Sequence, residues 1–336
     1  MAKNAGEETS RTKLFELLIE NPGEVVSSSR VTERLSASRQ AVFKAACALR
    51  DEGLPVESLP QKGYRLGSME TVQALAPTAV EYFLRGNPFF NKFLYFKEAD
   101  STQSVIKSLA RQDAPAGIVA CAEKQDAGRG RRGRSWAGTP GKNLTFSVLL
   151  RPKLKPGEVQ LLNLAAGLAV KETLRAMYSI PAELKWPNDI LCRGRKLCGI
   201  LSEAAGEPDR IYYAATGIGL NVNMETDDLP PELREVATSA LIESGMRLPR
   251  WRVLVTLLGA FARYAELLDT KSGGAELLSI YRRECDTLGK EVKVIQDDEN
   301  FTGRAKSVTQ EGALVVEINS EEKIFAAADV QHLRAV

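Results

Sequence analysis

The hydrophobic pattern of the chain changes its period twice, and these changes limit the folds that it can adopt. From Thr9 to Leu66 apolar residues recur at helical spacing and then form two short runs around a turn. Residues 78–281 alternate apolar strand-like runs with long helical patterns, and residues 288–334 contain only short β-like runs. We therefore expect an α+β multidomain protein built from three different segments.

The first segment has the element order of a winged helix-turn-helix. Three helices are predicted, over Thr12–Glu20, Ser28–Leu35 and Arg39–Glu52. Ser38 stands where the third helix needs an N-cap, and Gly53 ends that helix. Two short strands around Gln61-Lys62-Gly63 complete the order as a wing.

The other two segments contain β structure in different proportions. The central one has strand-like runs at Phe93–Phe96, Ile118–Ala122, Leu144–Leu150 and Ile211–Thr216, with helical patterns at Leu161–Met177 and Trp251–Leu268. The tail has β runs at Glu291–Ile295, Thr302–Val308, Ala313–Ile318 and Lys323–Ala327, which fit a small SH3-like β-barrel. The predicted domains are residues 1–67, a linker at 68–77, residues 78–284, and residues 285–336.

The composition excludes several kinds of chemistry. The only histidine is His332, so most histidine-dependent mechanisms and histidine metal sites are excluded. The five cysteines are scattered and are expected to be reduced thiols in a cytoplasmic protein; Cys192 and Cys198 are too few to hold a metal. No apolar run is long enough to cross a membrane. With a net charge of only +2, any contact with nucleic acid must come from a local patch.

The strongest local motif is the segment from Gln125 to Trp136, where four arginines and three glycines fall within seven residues. Glycines allow the backbone to approach a ligand closely, and guanidinium groups bind phosphate and carboxylate through paired hydrogen bonds. A disordered nucleic-acid tract has the same composition. Because this tract lies between two β-like runs, we predict a loop over an anionic ligand instead.

Three further motifs accompany this loop. Lys185-Trp186-Pro187-Asn188-Asp189 places a rigid turn between charged groups, and Arg195-Lys196-Leu197-Cys198-Gly199 follows as the return strand of a hairpin. Gly217 to Asn223 is a weak GxGxN pattern that a strand bulge also explains. Asp100-Ser101-Thr102-Gln103 is by itself only a helix N-cap.

Together these motifs resemble the bifunctional biotin–protein ligases, the biotin-operon repressors, in order and over nearly the whole chain. The resemblance implies a winged helix-turn-helix, a central class II synthetase-like α+β ligase domain and an SH3-like C-terminal barrel. It also implies that biotin and ATP are substrates, used with Mg²⁺. The expected acceptor is a biotin carboxyl carrier protein of acetyl-CoA carboxylase, and the other partners are operator DNA and a second copy of the chain, in a ligand-promoted homodimer.

The same resemblance implies roles for individual residues. The biotin contacts are Ser101, Thr102, Gln103, Gln125, Gly128, Arg129, Gly130, Arg131, Lys196 and Gly199. The ATP and adenylate contacts are Arg129, Arg131, Arg134, Trp136, Lys185, Asn188 and Asn221. The catalytic set is Arg131, Lys185, Lys196 and Asp189, with Asp189 also the candidate for a metal contact through water. Residues Met224 to Val236 fall where the family has an adenylate-covering loop, and Ser135 stands where the family pattern has a lysine.

The basic face of the third predicted helix indicates a contact with DNA. Residues 30–50 contain five basic residues and one acidic residue, a net charge of +4. The expected DNA-binding residues are Ser38, Arg39, Gln40, Lys44 and Lys62. A small helical protein-binding domain remains an alternative for this segment. For the whole chain, the alternatives are a ligase that has lost DNA binding, a biotin sensor without catalysis, and a lipoate or octanoate ligase.

Overall fold

A computed structural model describes residues 9–296, 299–326 and 328–333 of the chain. The chain forms two compact units, one from residues up to Gly86 together with Leu248–Val255, and one from Asn87–Arg247 together with the residues from Thr256 onwards. The predicted division of the chain differs from this one, since it begins the second domain at residue 78.

The first unit is the winged helix-turn-helix expected from the sequence. Its elements are α1 (Ser10–Ile19), β1 (Val26–Ser27), α2 (Ser28–Leu35), α3 (Arg39–Asp51), β2 (Val56–Leu59), β3 (Gly63–Leu66) and α4 (Pro77–Leu84). The sheet has the order β1-β3-β2 and is antiparallel. The Oγ of Ser38 accepts a hydrogen bond from the backbone N–H of Ala41 at 3.2 Å, so the predicted cap begins α3.

The segment predicted as a linker is packed rather than extended. Val72, Leu75 and Ala76 are buried, a short 3₁₀ turn spans Met69–Thr71, and Pro77 begins α4. The backbone N–H and the hydroxyl of Thr78 both donate to the Glu52 carboxylate at the end of α3. These contacts join residues far apart in sequence, which is why the local pattern did not indicate them.

The second unit contains a seven-stranded sheet of order β4-β5-β6-β10-β9-β8-β7. Its strands are β4 (Lys92–Ala99), β5 (Ile118–Gln125), β6 (Leu144–Leu150), β7 (Ala182–Lys185), β8 (Asp189–Cys192), β9 (Arg195–Glu207) and β10 (Arg210–Leu220). Only the pairing of β4 with β5 is parallel. The helices are α5 (Thr102–Arg111), α6 (Gln160–Tyr178), α7 (Ala240–Ser244), α8 (Arg250–Leu268) and α9 (Gly273–Glu284), with the first turns of α8 in the first unit.

The C-terminal part of the second unit is a five-stranded antiparallel sheet of order β14-β13-β12-β11-β15. Its strands are β11 (Glu291–Gln296), β12 (Glu299–Val308), β13 (Leu314–Ile318), β14 (Glu321–Phe325) and β15 (Asp329–His332). Four of these strands match the predicted runs, although Ala327 and Arg334 lie outside the described residues. The last strand, β15, was not predicted, and it is the one that reaches the site described next.

Candidate active site

A cavity of about 270 Å³ lies over the central strands of the large sheet. The Gln125–Trp136 loop, the turn between β7 and β8, and the barrel strand β15 form its walls. Most of the predicted site residues line it, namely Ser101, Thr102, Gln103, Gln125, Arg129, Gly130, Arg131, Arg134, Trp136, Lys185, Asn188, Asp189, Lys196 and Gly199. Motifs more than 100 residues apart in sequence, such as Ser101–Gln103 and Gly217–Gly219, therefore meet at one place.

One end of the cavity is a set of uncharged polar groups. The Oε1 of Gln125 accepts from the backbone N–H of Thr102 at 2.7 Å and from its hydroxyl at 3.0 Å. The hydroxyl of Thr102 lies 2.8 Å from that of Ser147. Because these bonds occupy the carbonyl oxygen of Gln125, its amide N–H groups remain for a ligand. This end can accept from and donate to a small polar ring.

Gln103 lines the cavity, and only one of its two side-chain polar atoms is available to a ligand. Its amide nitrogen donates to the carbonyl oxygens of Leu201 and Ala215 and to the Glu203 carboxylate, at 3.1, 3.2 and 2.9 Å. The nitrogen is therefore committed to the protein, and only Oε1 can face a ligand. That oxygen lies against Gly217, where the Cβ of any other residue would overlap it.

The glycine–arginine segment forms a closed loop. Arg129 and Ser135 form an antiparallel bridge, and the N–H of Gly130 donates to the carbonyl oxygen of Arg134 at 2.7 Å. Gly128 does not line the cavity, but the N–H of Trp136 donates to its carbonyl oxygen at 3.0 Å. The glycine pattern thus closes the loop, and the arginine side chains extend from it.

The arginines of this loop contact the C-terminal sheet, which the sequence did not indicate. Arg131 donates to the Asn188 side-chain oxygen at 3.3 Å and to the Ala328 carbonyl oxygen at 3.2 Å. Arg134 donates to the Asp329 carboxylate, and Arg132 lies 3.6 Å from the same carboxylate. Burial lowers the pKa of Arg131 below its ordinary value.

Trp136 rests on a floor made by two glycines. Gly199 in β9 and Gly219 in β10 are direct partners in the sheet. A Cβ on Gly199 would stand 2.9 Å from the indole, and one on Gly219 would overlap it. The Nζ of Lys196 lies 5.7 Å from the centre of the Trp136 ring. Packing therefore explains the second glycine of the GxGxN pattern, because a side chain there would displace the Trp136 indole. The indole is a flat aromatic surface on which a purine can stack.

The cationic end of the cavity contains Lys185, Lys196 and Asp189. The Nζ of Lys196 is 2.7 Å from Asp189 Oδ1, and the Nζ of Lys185 is 3.8 Å from Oδ2. Burial lowers the pKa of Lys185, and the charge of Asp189 opposes this shift. With the loop arginines, these groups leave an excess of positive charge, which suits an anionic ligand.

The donor set does not fit a metal ion held directly by the protein. Asp189 is already paired with two ammonium groups, which would repel a divalent cation. Across the described ranges, no group of three histidine, cysteine or acidic residues could hold a metal. The five cysteines are free thiols, and burial raises the pKa of Cys192 to about 12. Asp189 is therefore not placed to hold a metal ion directly, and its contact with a metal through water stays a prediction.

Two other predicted residues or segments lie beside the cavity rather than in it. Asn221 is buried, and its side-chain N–H donates to the Thr238 carbonyl oxygen at 2.9 Å. The segment from Met224 to Val236 does not line the cavity, but its Val236 carbonyl oxygen accepts from the N–H of Lys196 at 2.7 Å. This hydrogen bond connects the segment to a catalytic candidate.

The single histidine takes no part in the site. His332 lies in β15, and its Nε2 is 2.9 Å from the hydroxyl of Thr287. Burial, with the nearby charges of Lys290 and Lys185, lowers its pKa to about 4. The imidazole is therefore neutral near pH 7, and it does not line the cavity.

Fold and site together define a ligase of the biotin and lipoate type. Residues 95–221 match the Biotin/lipoate A/B protein ligase family, residues 287–333 the Biotin protein ligase C terminal domain, and residues 10–65 an HTH domain. The chain is 33% identical over 324 residues to the Bifunctional ligase/repressor BirA of Bacillus spizizenii, covering 96% of this chain and 98% of the relative. It belongs to the family of bifunctional biotin ligase/repressor proteins.

Other relatives agree with this assignment. The Bifunctional ligase/repressor BirA of Escherichia coli is 31% identical over 305 residues, covering 91% of each chain. The structure of the biotin protein ligase from Aquifex aeolicus in complex with biotin and ATP covers 73% of this chain and all of its own, with 30% identity and a TM-score of 0.63. No helix within the described parts of the chain is long and apolar enough to cross a membrane.

Proposed function

We propose that this chain joins biotin to ATP, transfers the biotinyl group to a lysine of a carrier protein, and represses biotin-synthesis genes. The observation that carries the enzymatic part is the cavity, where a polar pocket opens directly onto a cluster of arginines and lysines. Biotin has a polar ring at one end and a carboxylate at the other, so it fits this division of charge. The sequence relatives and the biotin- and ATP-bound neighbour support the same function.

Biotin binds with its ring at the uncharged end. Gln125 donates to the ureido oxygen, the hydroxyls of Ser101 and Thr102 complete the ring contacts, and Oε1 of Gln103 accepts from a ureido N–H. The carboxylate extends past Gly199 toward Lys196 and the loop from Gly128 to Arg131.

ATP places its base over Trp136 and its phosphates between Arg129, Arg131, Arg134, Lys185 and Asn188. Asn221 acts indirectly, by holding the strand end beside Trp136.

The reaction follows from this arrangement. A carboxylate oxygen of biotin attacks the α-phosphorus of ATP, forming a C–O–P link and releasing pyrophosphate. Lys185, Lys196 and Arg131 stabilise the charge that builds on the phosphoryl oxygens. The lysine amine of the carrier then attacks the acyl carbon, loses a proton, and releases AMP. Asp189, between two lysines, is placed to receive or orient that proton. Any magnesium requirement comes with the nucleotide phosphates.

The unpaired basic side chains of the first unit support the DNA-binding part of the proposal. Within the first unit, Arg11, Arg65, Arg85 and Arg252 each pair with a glutamate. By contrast, Arg39, Lys44 and Lys62 are exposed and form no ion pair with any residue that the structure describes. The first two lie on α3 and the third lies in the wing, the two elements that contact duplex DNA in this fold. Phosphates would neutralise them.

The partners follow from these two activities. The acceptor is a biotin carboxyl carrier protein of acetyl-CoA carboxylase, and the DNA is an operator upstream of biotin-synthesis genes. We expect a homodimer promoted by the adenylate, because winged-helix proteins usually bind paired half-sites. Adenylate that finds no acceptor would then promote repression. A cytoplasmic location fits the ATP substrate and the free thiols.

A single incubation tests the enzymatic proposal. The purified chain is mixed with ATP, Mg²⁺, a carrier domain and one acid, either biotin, lipoate or octanoate. We expect biotin-dependent exchange of pyrophosphate into ATP and biotin on the carrier lysine. Exchange only with lipoate or octanoate would identify the chain as a lipoate or octanoate ligase. If no acid supports exchange, the chain is a biotin sensor without catalysis.

A gel shift tests the repressor proposal separately. Duplexes from biotin-synthesis promoters are incubated with the chain, with and without biotin and ATP. We expect binding that increases when the adenylate forms. A chain that ligates biotin but shifts none of these duplexes would have lost DNA binding.

A further inference from the structure

Phe43 is a large apolar side chain on the outside of α3. It is 54% exposed, and residues three and four positions apart share a helix face, so Gln40 and Arg39 are its neighbours on that face, while the exposed Lys44 follows about 100° around the helix. Its ring contacts no other aromatic ring in the described part of the chain. Phe83, in the same unit, instead stacks on Trp251 with ring centroids 5.1 Å apart. Phe43 thus lacks the packing that an aromatic ring usually gains.

The core does not need Phe43. The opposite face of α3 buries Val42, Ala46 and Leu49, which pack with the rest of the first unit. A single exposed apolar side chain is common on protein surfaces, but Phe43 shares α3 with the exposed Gln40, Arg39 and Lys44, and this combination indicates a binding surface. The neighbouring Arg39 and Lys44, unpaired within the described residues, indicate that the partner is an anion.

We propose that Phe43 is a sequence-reading residue, which packs on the 5-methyl group of thymine in the major groove. The proposal rests on the DNA-binding half of the function proposed above. The major groove is wide enough to admit a helix, and the thymine methyl is the apolar group that its base edges present. Phosphates neutralise Arg39 and Lys44 on either side, so one partner accounts for both the apolar and the cationic groups.

The position of Gln40 narrows the sequence that is read. Gln40 and Phe43 have Cβ atoms about 5–6 Å apart as an i,i+3 pair. Successive base pairs are about 3.4 Å apart along each strand, so the two side chains reach the same or neighbouring pairs. A glutamine amide pairs well with the N6 and N7 groups of adenine. Phe43 and Gln40 together therefore specify A·T pairs at the same or neighbouring positions of each half-site.

The test uses DNA that differs only in methyl groups. The full-length chain, with biotin and ATP, selects duplexes from a randomised 40-base-pair library, and the enriched duplex becomes the probe. Each thymine in it is replaced in turn by deoxyuridine, which removes only the methyl group. We expect one or two positions per half-site where the wild-type affinity falls about threefold to tenfold. At those positions Phe43→Ala should bind both probes equally, and Phe43→Leu should keep part of the preference.

Matched variants separate this inference from loss of folding and from failure of the proposed function. Phe83→Ala changes the same residue type in the same unit and should keep the full thymine preference. Thermal melting checks that Phe43→Ala is folded. If the wild-type chain enriches a duplex but deoxyuridine substitution affects Phe43→Ala and the wild type alike, the inference fails while DNA binding stands. Phe43 would then mark a surface for another protein. If no duplex is enriched, both fail together.

Discussion

Lys196 and Asp189 form an ion pair at the cationic end of the cavity, with 2.7 Å between Nζ and Oδ1. Asp189 begins β8, and its direct partner in the neighbouring strand β7 is Lys185. The sheet register thus places a carboxylate between two ammonium groups that come from strands on either side. This arrangement holds both lysines in place without neutralising the site completely, so the cavity keeps a net attraction for phosphate and carboxylate.

Replacing Asp189 with asparagine tests the importance of this pair. Loss of the charge leaves two ammonium groups facing each other, so Lys196 should move and the proton acceptor for the attacking amine is lost. We expect transfer of biotin to the carrier to fall about a hundredfold, within the usual range for a general base. Pyrophosphate exchange should fall less, because the cations remain.

Asp126→Asn provides the matched control for that substitution. Asp126 is exposed at the start of the Gln125–Trp136 loop, where it pairs with Lys124 at 2.9 Å. Exposed pairs of this kind contribute little, so both half-reactions should stay within about twofold of the wild type. Equal loss in the two variants would contradict a specific role for Asp189.

Much of the architecture could be predicted because it is encoded locally. Ser38 and Gly53 bound α3 through capping, and alternating apolar residues mark β6, so both were placed correctly. The contact of Arg134 with Asp329 spans 195 residues, and no local pattern indicates it. No local pattern indicates the hydrogen bond from the Gln103 amide to the Glu203 carboxylate either. The sequence thus indicated which polar and charged side chains form the site, but not the long-range hydrogen-bond and ion-pair partners that fix their positions.

Arg131 should retain the reaction intermediate. It bonds to Asn188 and to the Ala328 carbonyl oxygen while lining the cavity, so its removal takes one contact of the loop from each of these two walls, while Arg134 still pairs with Asp329. Two hydrogen bonds from a charged donor suggest that Arg131→Ala releases biotinyl-5′-AMP about 10- to 100-fold faster. Released adenylate should then label lysines on bystander proteins, which a streptavidin blot detects.

Arg132→Ala is the control for this prediction, since it removes an arginine from the next position. Arg132 contacts the Ile295 carbonyl oxygen and Asp329 but does not line the cavity. Bystander labelling by this variant should stay near the wild-type level. If Arg131→Ala retains its adenylate as long as Arg132→Ala does, the assigned role is wrong.

Two glycines in β10 allow a matched pair of substitutions, one expected to weaken ATP binding and the other biotin binding. A methyl group on Gly219 would overlap the Trp136 indole, and one on Gly217 would overlap Oε1 of Gln103. We therefore expect Gly219→Ala to raise the KM for ATP, and Gly217→Ala to raise the KM for biotin, each by about tenfold or more. Steady-state pyrophosphate exchange measures both constants. Equal effects on both substrates in either variant would show general misfolding instead.

His332 should make the stability of the chain depend on pH. Its pKa is lowered to about 4 in the folded chain, against an ordinary value of 6.5, so the unfolded chain binds the extra proton between these values. The stabilisation is complete above pH 6.5 and is lost as the pH falls toward 4. The full shift in pKa would remove about 2 kcal/mol from the free energy of unfolding between pH 7 and pH 5. Because the ring is partly exposed and screened by solvent, we expect a loss of about 1 kcal/mol.

His332→Gln isolates this effect, since glutamine cannot titrate and can still bond to Thr287. Denaturant unfolding at pH 7 and pH 5 gives the free energy of unfolding for both proteins. The wild type should lose more stability than the variant on acidification. An identical loss would mean that the imidazole titrates normally in the folded chain.

The cations of α3 should control the salt dependence of DNA binding. Each phosphate contact that is lost lowers the slope of log affinity against log salt concentration by about one. We therefore expect the double variant Arg39→Ala, Lys44→Ala to lower that slope by about two and to weaken binding to all duplexes. Arg252→Ala, whose guanidinium already pairs with Glu70 at 3.0 Å, should leave the slope unchanged. A slope unchanged in the double variant would show that another surface meets the phosphates, since a lost electrostatic contact must release fewer counterions.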